Sequence, residues 1–498
     1  MSAIAGQLKE NQQEKTELPN LLGLMEHRGS HHQHYFYDGV AAMGLGTNAS
    51  GNEKQPEEAY VSHDGKTTLI WDGELERTVA SDMEKLVERF REKGIAFVAE
   101  LKGAFALMMI DNRGKAPVLY AARDTLGAKP LYYAGEKGAL VFSSEIKSLS
   151  SQAETAKPFP PGHYYTSDEG FIQYNEVVVS DDKILPDKRN QTNVIREVRR
   201  LTRRAVDRAL DGDKNLGLMI SGGLDSSLLA AIAKETGRMP AKSFCVGSSD
   251  SSDIPAARKV AEALGTDHYE YEYSLKEMVE ALPKVIYYLE SFEPSLVRSA
   301  VPNYFAFKMA AEHVEVVLSG EGADELFSGY TYLKDIKDPK ALDRELIRVI
   351  NGLHSIGLQR GDRMSAANGL EVRTPFLDKE LMAYALRVPV QWKLLTQGNQ
   401  VIEKWILRKA FDGETDLPSA ILWRDKEEFS EGSGAKDCIE AYMEESITTD
   451  KYHQAVADIM KRDGMRIRSK EELYYYRIFR EHYPHVAMAR QVGRWADC

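Results

Sequence analysis

Residues Ser221-Gly-Gly-Leu-Asp-Ser-Ser227 gather two glycines, an aspartate and three serines into one short stretch. The apolar run Leu216-Gly-Leu-Met-Ile220 precedes it, and a helical pattern from Leu228 to Thr236 follows. Glycine lets a backbone turn sharply and approach a ligand closely. Free N–H groups at a helix start, joined here by serine hydroxyls, attract anions. The spacing therefore predicts a phosphate-binding loop in which Ser221, Gly222, Gly223 and Ser226 hold the anion. Asp225 would repel that anion unless a magnesium ion lay between them. The loop carries neither GxGxxG nor GK[ST], so it is not one of the two commoner phosphate signatures.

A second loop, Ser319-Gly-Glu-Gly-Ala-Asp-Glu325, follows the apolar run Val314-Glu-Val-Val-Leu318 in the same manner and adds carboxylates. Open parallel sheets bind ligands at the carboxyl ends of their strands, so both loops should face one crevice. Ser319 and Gly320 would join the nucleotide site. Glu321 is a candidate general base or acid and Asp324 a candidate magnesium ligand. A solvated acidic turn is the plainer alternative for this second motif.

The elements that must position these loops change character along the chain. Up to about residue 185 there are short strand-like runs, among them Thr67–Asp72, Ala104–Asp111, Val118–Ala122 and Ala139–Ser143, beside Gly, Asn or Asp turn signals. One helical pattern spans Ser81 to Lys93. An α+β domain with sheets predominating is the expectation. The polar stretch Ser180–Thr192, with Pro186, reads as a linker. From Asn193 onward, buried strands alternate with helices, the sign of a parallel α/β core. Residues from about 340 to 498 read as almost wholly helical.

Composition sets outer bounds. The chain has 498 residues, 43% hydrophobic and 28% charged, enough for two or three domains with ordinary cores. A net charge of -12 argues against nucleic acid or an anionic membrane as the main partner. The three cysteines, Cys245, Cys438 and Cys498, are too far apart for a zinc spacing or a disulfide framework. Cys245, in the apolar run Ser243–Gly247, reads as core. The N-terminus MSAIAGQLKE lacks a signal-type pattern and no run approaches a membrane span, so a cytoplasmic enzyme is expected. The His31-His-Gln-His34 cluster has no acidic or Cys companions at ligand spacing and reads as an exposed loop.

The motifs resemble those of the class B asparagine synthetases and their lactam-forming relatives. Ser221–Ser226 looks like that family's pyrophosphate loop. Leu318–Tyr330 looks like its second ATP-site motif, with Ser328 where the family usually has Gly. Asn368–Asp378, Lys404-Trp-Ile-Leu-Arg408 and Trp423–Gly432 match in order and spacing over the whole C-terminal part. The resemblance implies an N-terminal nucleophile-hydrolase-like sandwich (residues 1–185) before an α/β PP-loop synthetase domain (residues 193–498). It implies ATP with magnesium near Asp225 and Asp324, Val246 among the nucleotide-binding residues, and a carboxylate attacking the α-phosphate. Lys426 would neutralise charge building on the phosphates, and Glu321 would deprotonate the incoming ammonia or amine.

The first domain is similar to the same family, but its chemistry departs from the pattern. Glutamine-dependent members begin Met-Cys-Gly, where the exposed Cys serves as nucleophile and its α-amine as base. This chain begins Met1-Ser2-Ala3. His27-Arg-Gly-Ser30 stands in place of Arg-Gly-Pro-Asp, and Asp72-Gly-Glu74 in place of Asn-Gly-Glu. No counterpart of the arginine that holds the glutamine carboxylate is found near Met43–Thr47. The scaffold motifs Gly103-Ala-Phe105, Arg123-Asp124, Gly127–Tyr132 and Phe142–Lys147 are retained. A fold kept without its glutaminase is the expectation.

Nitrogen would then come from free ammonia, a separate glutaminase or a substrate amine. Aspartate is the first choice of acceptor. Glu293-Pro-Ser-Leu-Val-Arg298 keeps the family's Arg but has Leu296 for one Thr, so Arg298 either pairs with a substrate carboxylate or bridges helices. A homodimer is compatible with the family. The alternatives are an amide ligase for another carboxylate, another adenylating enzyme on the same phosphate loop, and a non-catalytic nucleotide sensor. A sensor would be expected to have lost some of Asp225, Glu321, Asp324 and Lys426, and all four are present.

Overall fold

The computed structural model describes residues 1–9, 16–29, 31–48, 59–75, 83–212 and 215–495. Two six-stranded antiparallel sheets lie face to face in the first part. One runs, in spatial order, Lys157–Pro158, Tyr132–Glu136, Ala139–Ser143, Ser2–Leu8, Ala41–Thr47 and His32–Asp38. The other runs Gly170–Gln173, His163–Thr166, Val118–Arg123, Gly103–Asp111, Thr67–Leu75 and Ala59–Val61.

Alternation along Gly103–Asp111 shows why this sequence makes a layered structure. Ala106, Met108 and Ile110 face the first sheet and pack with Ile4, Met43 and Phe142. Leu107 and Met109 point the other way, onto Leu86, Val87 and Phe90 of the helix Met83–Lys93. That helix is the one expected from Ser81, residues 81 and 82 lying outside those described. Two buried side chains tie the loops of the sandwich. Arg123 donates to the carbonyls of Lys129, Phe159 and Gly127 at 2.7–2.8 Å. Asp124 accepts from the amides of Leu126, Ala128 and Lys129.

The second part is built on five parallel strands, in order Asp267–Glu272, Lys242–Gly247, Leu216–Met219, Val316–Leu318 and Glu371–Arg373. Chain order reverses between Leu216–Met219 and Val316–Leu318, which opens a crevice at their carboxyl ends. The two parts are continuous in packing: Ala3, Ala5 and Leu18 share one apolar cluster with Leu282, Ala300 and Tyr476.

Three expectations are corrected. The linker is shorter than Ser180–Thr192, because the helix Lys188–Ala209 begins within it, capped by the Asp187 carboxylate on the amide of Asn190. Residues beyond 340 are not all helical, since Glu371–Arg373 completes the parallel sheet and Leu395–Gln397 pairs with Gln400–Ile402. His32 and His34 lie on the edge strand His32–Asp38, not in a loop; its pairing with Ala41–Thr47 aligns seven residues.

Cys245 is buried on its strand, and burial pushes its thiol far up. Cys498 lies outside the described residues. No helix among the described residues is long and apolar enough to cross a membrane.

Candidate active site

The crevice is lined by both predicted loops. Ser221, Gly223, Asp225 and Ser226 come from the first, Ser319, Gly320, Glu321 and Asp324 from the second, and Val246 from the neighbouring strand. Gly222 is in the left-handed region (φ 70°), and a Cβ there would lie 2.4 Å from the Cβ of Ala256. It makes the turn and packs behind the loop, and it is not among the residues lining the crevice. The helix Leu224–Glu235 starts at Gly223 without a side-chain cap. The loop's hydroxyls bond to one another meanwhile, with Ser221 Oγ and Ser226 Oγ 3.2 Å apart. The two loops touch: a Cβ on Gly320 would come within 2.8 Å of the Asp225 Cβ. Only glycine at 320 lets the second loop approach so closely.

Charges are concentrated where the loops meet. Lys404 Nζ lies 2.5 Å from Asp225 Oδ2 and 2.6 Å from Asp324 Oδ1, and Lys426 Nζ lies 2.9 Å from Asp324 Oδ2. Burial opposes ionisation of Asp324, but Lys404 and Lys426 outweigh it and hold the carboxyl far below the usual range. Burial likewise works against the Lys426 cation, and Asp324 and Asp225 more than compensate, raising it above an ordinary lysine. Asp225 Oδ1 is buried and has no hydrogen-bond partner. An orphaned carboxylate oxygen, on a residue that shares Lys404 with a second carboxylate, suits a hard cation that takes its remaining ligands from phosphate and water, so these residues fit magnesium. No group of three or more His, Cys, Asp or Glu among the described residues forms a complete cage.

Glu321 also lines the crevice and is ion-paired with Arg360 of the helix Gly357–Ala366. Behind it, Glu325 accepts from the Tyr330 hydroxyl at 2.5 Å. Burial, and then the nearby Asp324 and Glu321 charges, push the Glu325 carboxyl up to about 7. Asp253, also on the wall, is raised to about 7 by burial despite Arg424. Trp495 closes the rim, edge-on to Tyr330 with ring centroids 5.2 Å apart.

Of the two readings of Arg298, the structure shows the bridge between helices. On the helix Pro294–Ala311 the crevice face carries Ser295, Leu296, Ser299, Asn303, Ala306 and Phe307. Arg298 points off that face and pairs with Glu440 and with Glu471, whose Oε1 is 3.5 Å from its Nε. It bridges helices.

Lys404, Arg360 and Trp495 are among the crevice residues that the sequence alone does not mark. Lys404 belonged to a recognised run, yet its partners are distant in the chain. The one local sign is conformational: it holds φ 53°, unusual for a lysine and a mark of a site that constrains its backbone.

A second cluster of charge occupies the first sandwich beside Ser2. Ser2 is buried at the start of its strand; its amide donates to Asp72 Oδ1 at 3.0 Å and its carbonyl accepts from Arg28 Nε at 3.2 Å. Arg28, fully buried, forms a two-pronged pair with Asp362 of the second part at 2.7 and 3.0 Å. It also reaches Asp72 and Glu145 at 3.0 Å each. Burial opposes both charges of the interdomain pair. Asp362 and Asp72 nevertheless hold the Arg28 cation firmly, while Arg28 lowers the Asp362 carboxyl to about 2.

A double antiparallel sandwich ahead of a parallel nucleotide-binding sheet defines the class, that of amidotransferase-type carbon–nitrogen ligases. The family described as asparagine synthase matches residues 197–340 and 333–496, and that described as a glutamine amidotransferase domain matches residues 1–160. Asparagine synthetase [glutamine-hydrolyzing] 2 of Arabidopsis thaliana is 35% identical over 436 residues, 82% of this chain and 72% of its own. A probable asparagine synthetase [glutamine-hydrolyzing] of Dictyostelium discoideum is 34% identical, covering 88% of this chain and 82% of its own. That of Triphysaria versicolor is 33% identical, covering 97% and 86%. The chain belongs to the asparagine synthetase family, whose chemistry is ATP-dependent amide ligation.

Proposed function

We propose that this chain uses ATP to activate a carboxylate and transfers ammonia to it, without hydrolysing glutamine itself. The observation that carries the reading is the meeting of Asp225, Asp324, Lys404 and Lys426 beside Glu321 in one crevice. A carboxylate oxygen of the acceptor attacks the α-phosphorus, the bond to the β-phosphate breaks and pyrophosphate leaves. Ammonia then attacks the acyl carbon and AMP departs. Lys426 and Lys404 neutralise charge accumulating on the departing phosphates. Glu321 takes the proton shed by the attacking nitrogen, with Arg360 keeping the carboxylate in place. Asp225 and Asp324 would hold magnesium, which would supply positive charge against the phosphates.

In this reading residues 193–498 are the synthetase and residues 1–185 a degenerate amidotransferase domain of a cytoplasmic enzyme. Ser2, Arg28 and Asp72 support the second half of that statement, because Ser2 is buried and its backbone is held to Asp72 and Arg28 of a buried ion network.

Aspartate is the reference acceptor. One observation favours a different acid: Arg298 is engaged by Glu440 and Glu471 and offers the crevice no cation. Pyrophosphate release with ATP, magnesium and ammonia, acid by acid, tests the reading. Release with aspartate establishes an ammonia-dependent asparagine synthetase, release with another acid alone establishes that alternative, and silence with every acid refutes the ligase proposal.

A further inference from the structure

Asn303 presents a buried amide oxygen with no hydrogen-bond partner, and it lines the crevice. A buried amide left unsatisfied is costly, and such groups generally mark a site for a ligand or ordered water. Its position in the fold narrows the choice. Along the helix Pro294–Ala311 the crevice face passes from Ser295 through Ser299 to Asn303 and Phe307. At that level it packs on the strand Lys242–Gly247, whose Phe244 and Val246 line the same wall together with Met219 of the central strand. Apart from the serines and Asn303 of the helix, this wall is apolar. The cations that would receive phosphates, Lys404 and Lys426, sit instead with Asp225 and Asp324 where the two loops meet. A nucleotide with its phosphates at that junction directs its base into the apolar end.

We infer that Asn303 reads the base of the nucleotide and selects adenine through its 6-amino group. The inference rests on the ATP-dependent reading of the crevice. An amide side chain pairs with adenine at two points, its oxygen accepting from the 6-amino group and its nitrogen donating to N7. Hypoxanthine and guanine carry a carbonyl oxygen at C6 beside N7. Two-point pairing fails there, because whichever way the amide is turned its own oxygen faces one of two acceptors. Met219, Phe244 and Val246 supply the apolar faces that hold the ring, and Asn303 supplies the discrimination that an apolar slot lacks.

The test is equilibrium binding of ATP and of inosine triphosphate, with magnesium, to the full chain and to Asn303→Leu and Asn303→Met. Inosine triphosphate keeps the sugar, phosphates and ring size while exchanging the amine for a carbonyl. The wild type should prefer ATP, and both variants should narrow that preference by about tenfold. Thermal unfolding without nucleotide supplies the control for folding: removal of the buried amide oxygen that has no partner should leave the midpoint nearly unchanged. Equal binding of both nucleotides by the wild type, or an unchanged preference in variants that fold, overturns the inference. Failure of the wild type to bind either nucleotide removes the ligase reading with it, so the two failures are distinguishable.

Discussion

Two clusters of opposed charge lie in this molecule, one around Arg28 and one around Lys404, and they end differently. Arg28 uses its donors on Asp72, Glu145, Asp362 and the Ser2 carbonyl. The cluster is closed and joins the two halves of the chain. Around Lys404 the same side-chain types meet, but they line a crevice and leave Asp225 Oδ1 without a partner. A satisfied buried network fixes a structure, whereas an unsatisfied one at a cavity is set up for a ligand.

The comparison breaks most visibly if Arg28 is truncated. Arg28→Ala leaves Asp72, Glu145 and Asp362 buried without their common cation, and should lower stability by about 3–5 kcal/mol in denaturant unfolding. A change under 1 kcal/mol would mean that the network is not structural. In the open cluster the order reverses. Lys426→Ala should slow pyrophosphate release by roughly 100- to 1,000-fold while leaving the unfolding midpoint nearly unchanged. A variant that loses both equally would place Lys426 with the structural charges.

Acid sharpens the contrast. Asp362 titrates near 2 in the folded chain against an ordinary value of 3.8. Its contribution to stability is therefore complete above about pH 4 and is lost as pH falls through 2. Asp362→Asn should remove roughly 2 kcal/mol of acid-dependent stability, seen as a flatter low-pH limb in a series of thermal melts. A limb of unchanged steepness would assign acid lability to other carboxylates.

The smallest effect concerns Ser328, which ends the helix Ala323–Phe327 in the left-handed region (φ 61°) with its hydroxyl buried and unpartnered. Ser328→Gly relieves both features and should stabilise by about 1 kcal/mol. Destabilisation would show that the hydroxyl has a partner in solution.

Much of the crevice was legible because its chemistry is local in sequence. Each loop follows an apolar strand and opens a helix, so Ser221–Ser226 and Ser319–Asp324 announce their own positions. The sandwich was legible for a similar reason, since alternation along Gly103–Asp111 sorts its side chains to two faces. Lys404 was not legible, because its meaning comes from Asp225, 179 residues away. Arg298 reads from sequence equally well as a substrate cation or as a bridge between helices, and helix phase separates the two. Ser295, Ser299 and Asn303 repeat every four residues and define the crevice face, from which Arg298 turns away. The linker was drawn too long because polar residues at Lys188–Thr192 are equally suited to the first turn of an exposed helix.

The central claim is that nitrogen reaches the crevice as ammonia and that the first sandwich hydrolyses no glutamine. Glutamate release from glutamine, measured beside ammonia-driven pyrophosphate release on the same preparation and on Ser2→Ala, tests it directly. The account predicts no glutamate from either protein, and pyrophosphate release with ammonia that Ser2→Ala leaves intact. Glutamate formed by the wild type and abolished by Ser2→Ala would contradict it, and would make Ser2 a working nucleophile.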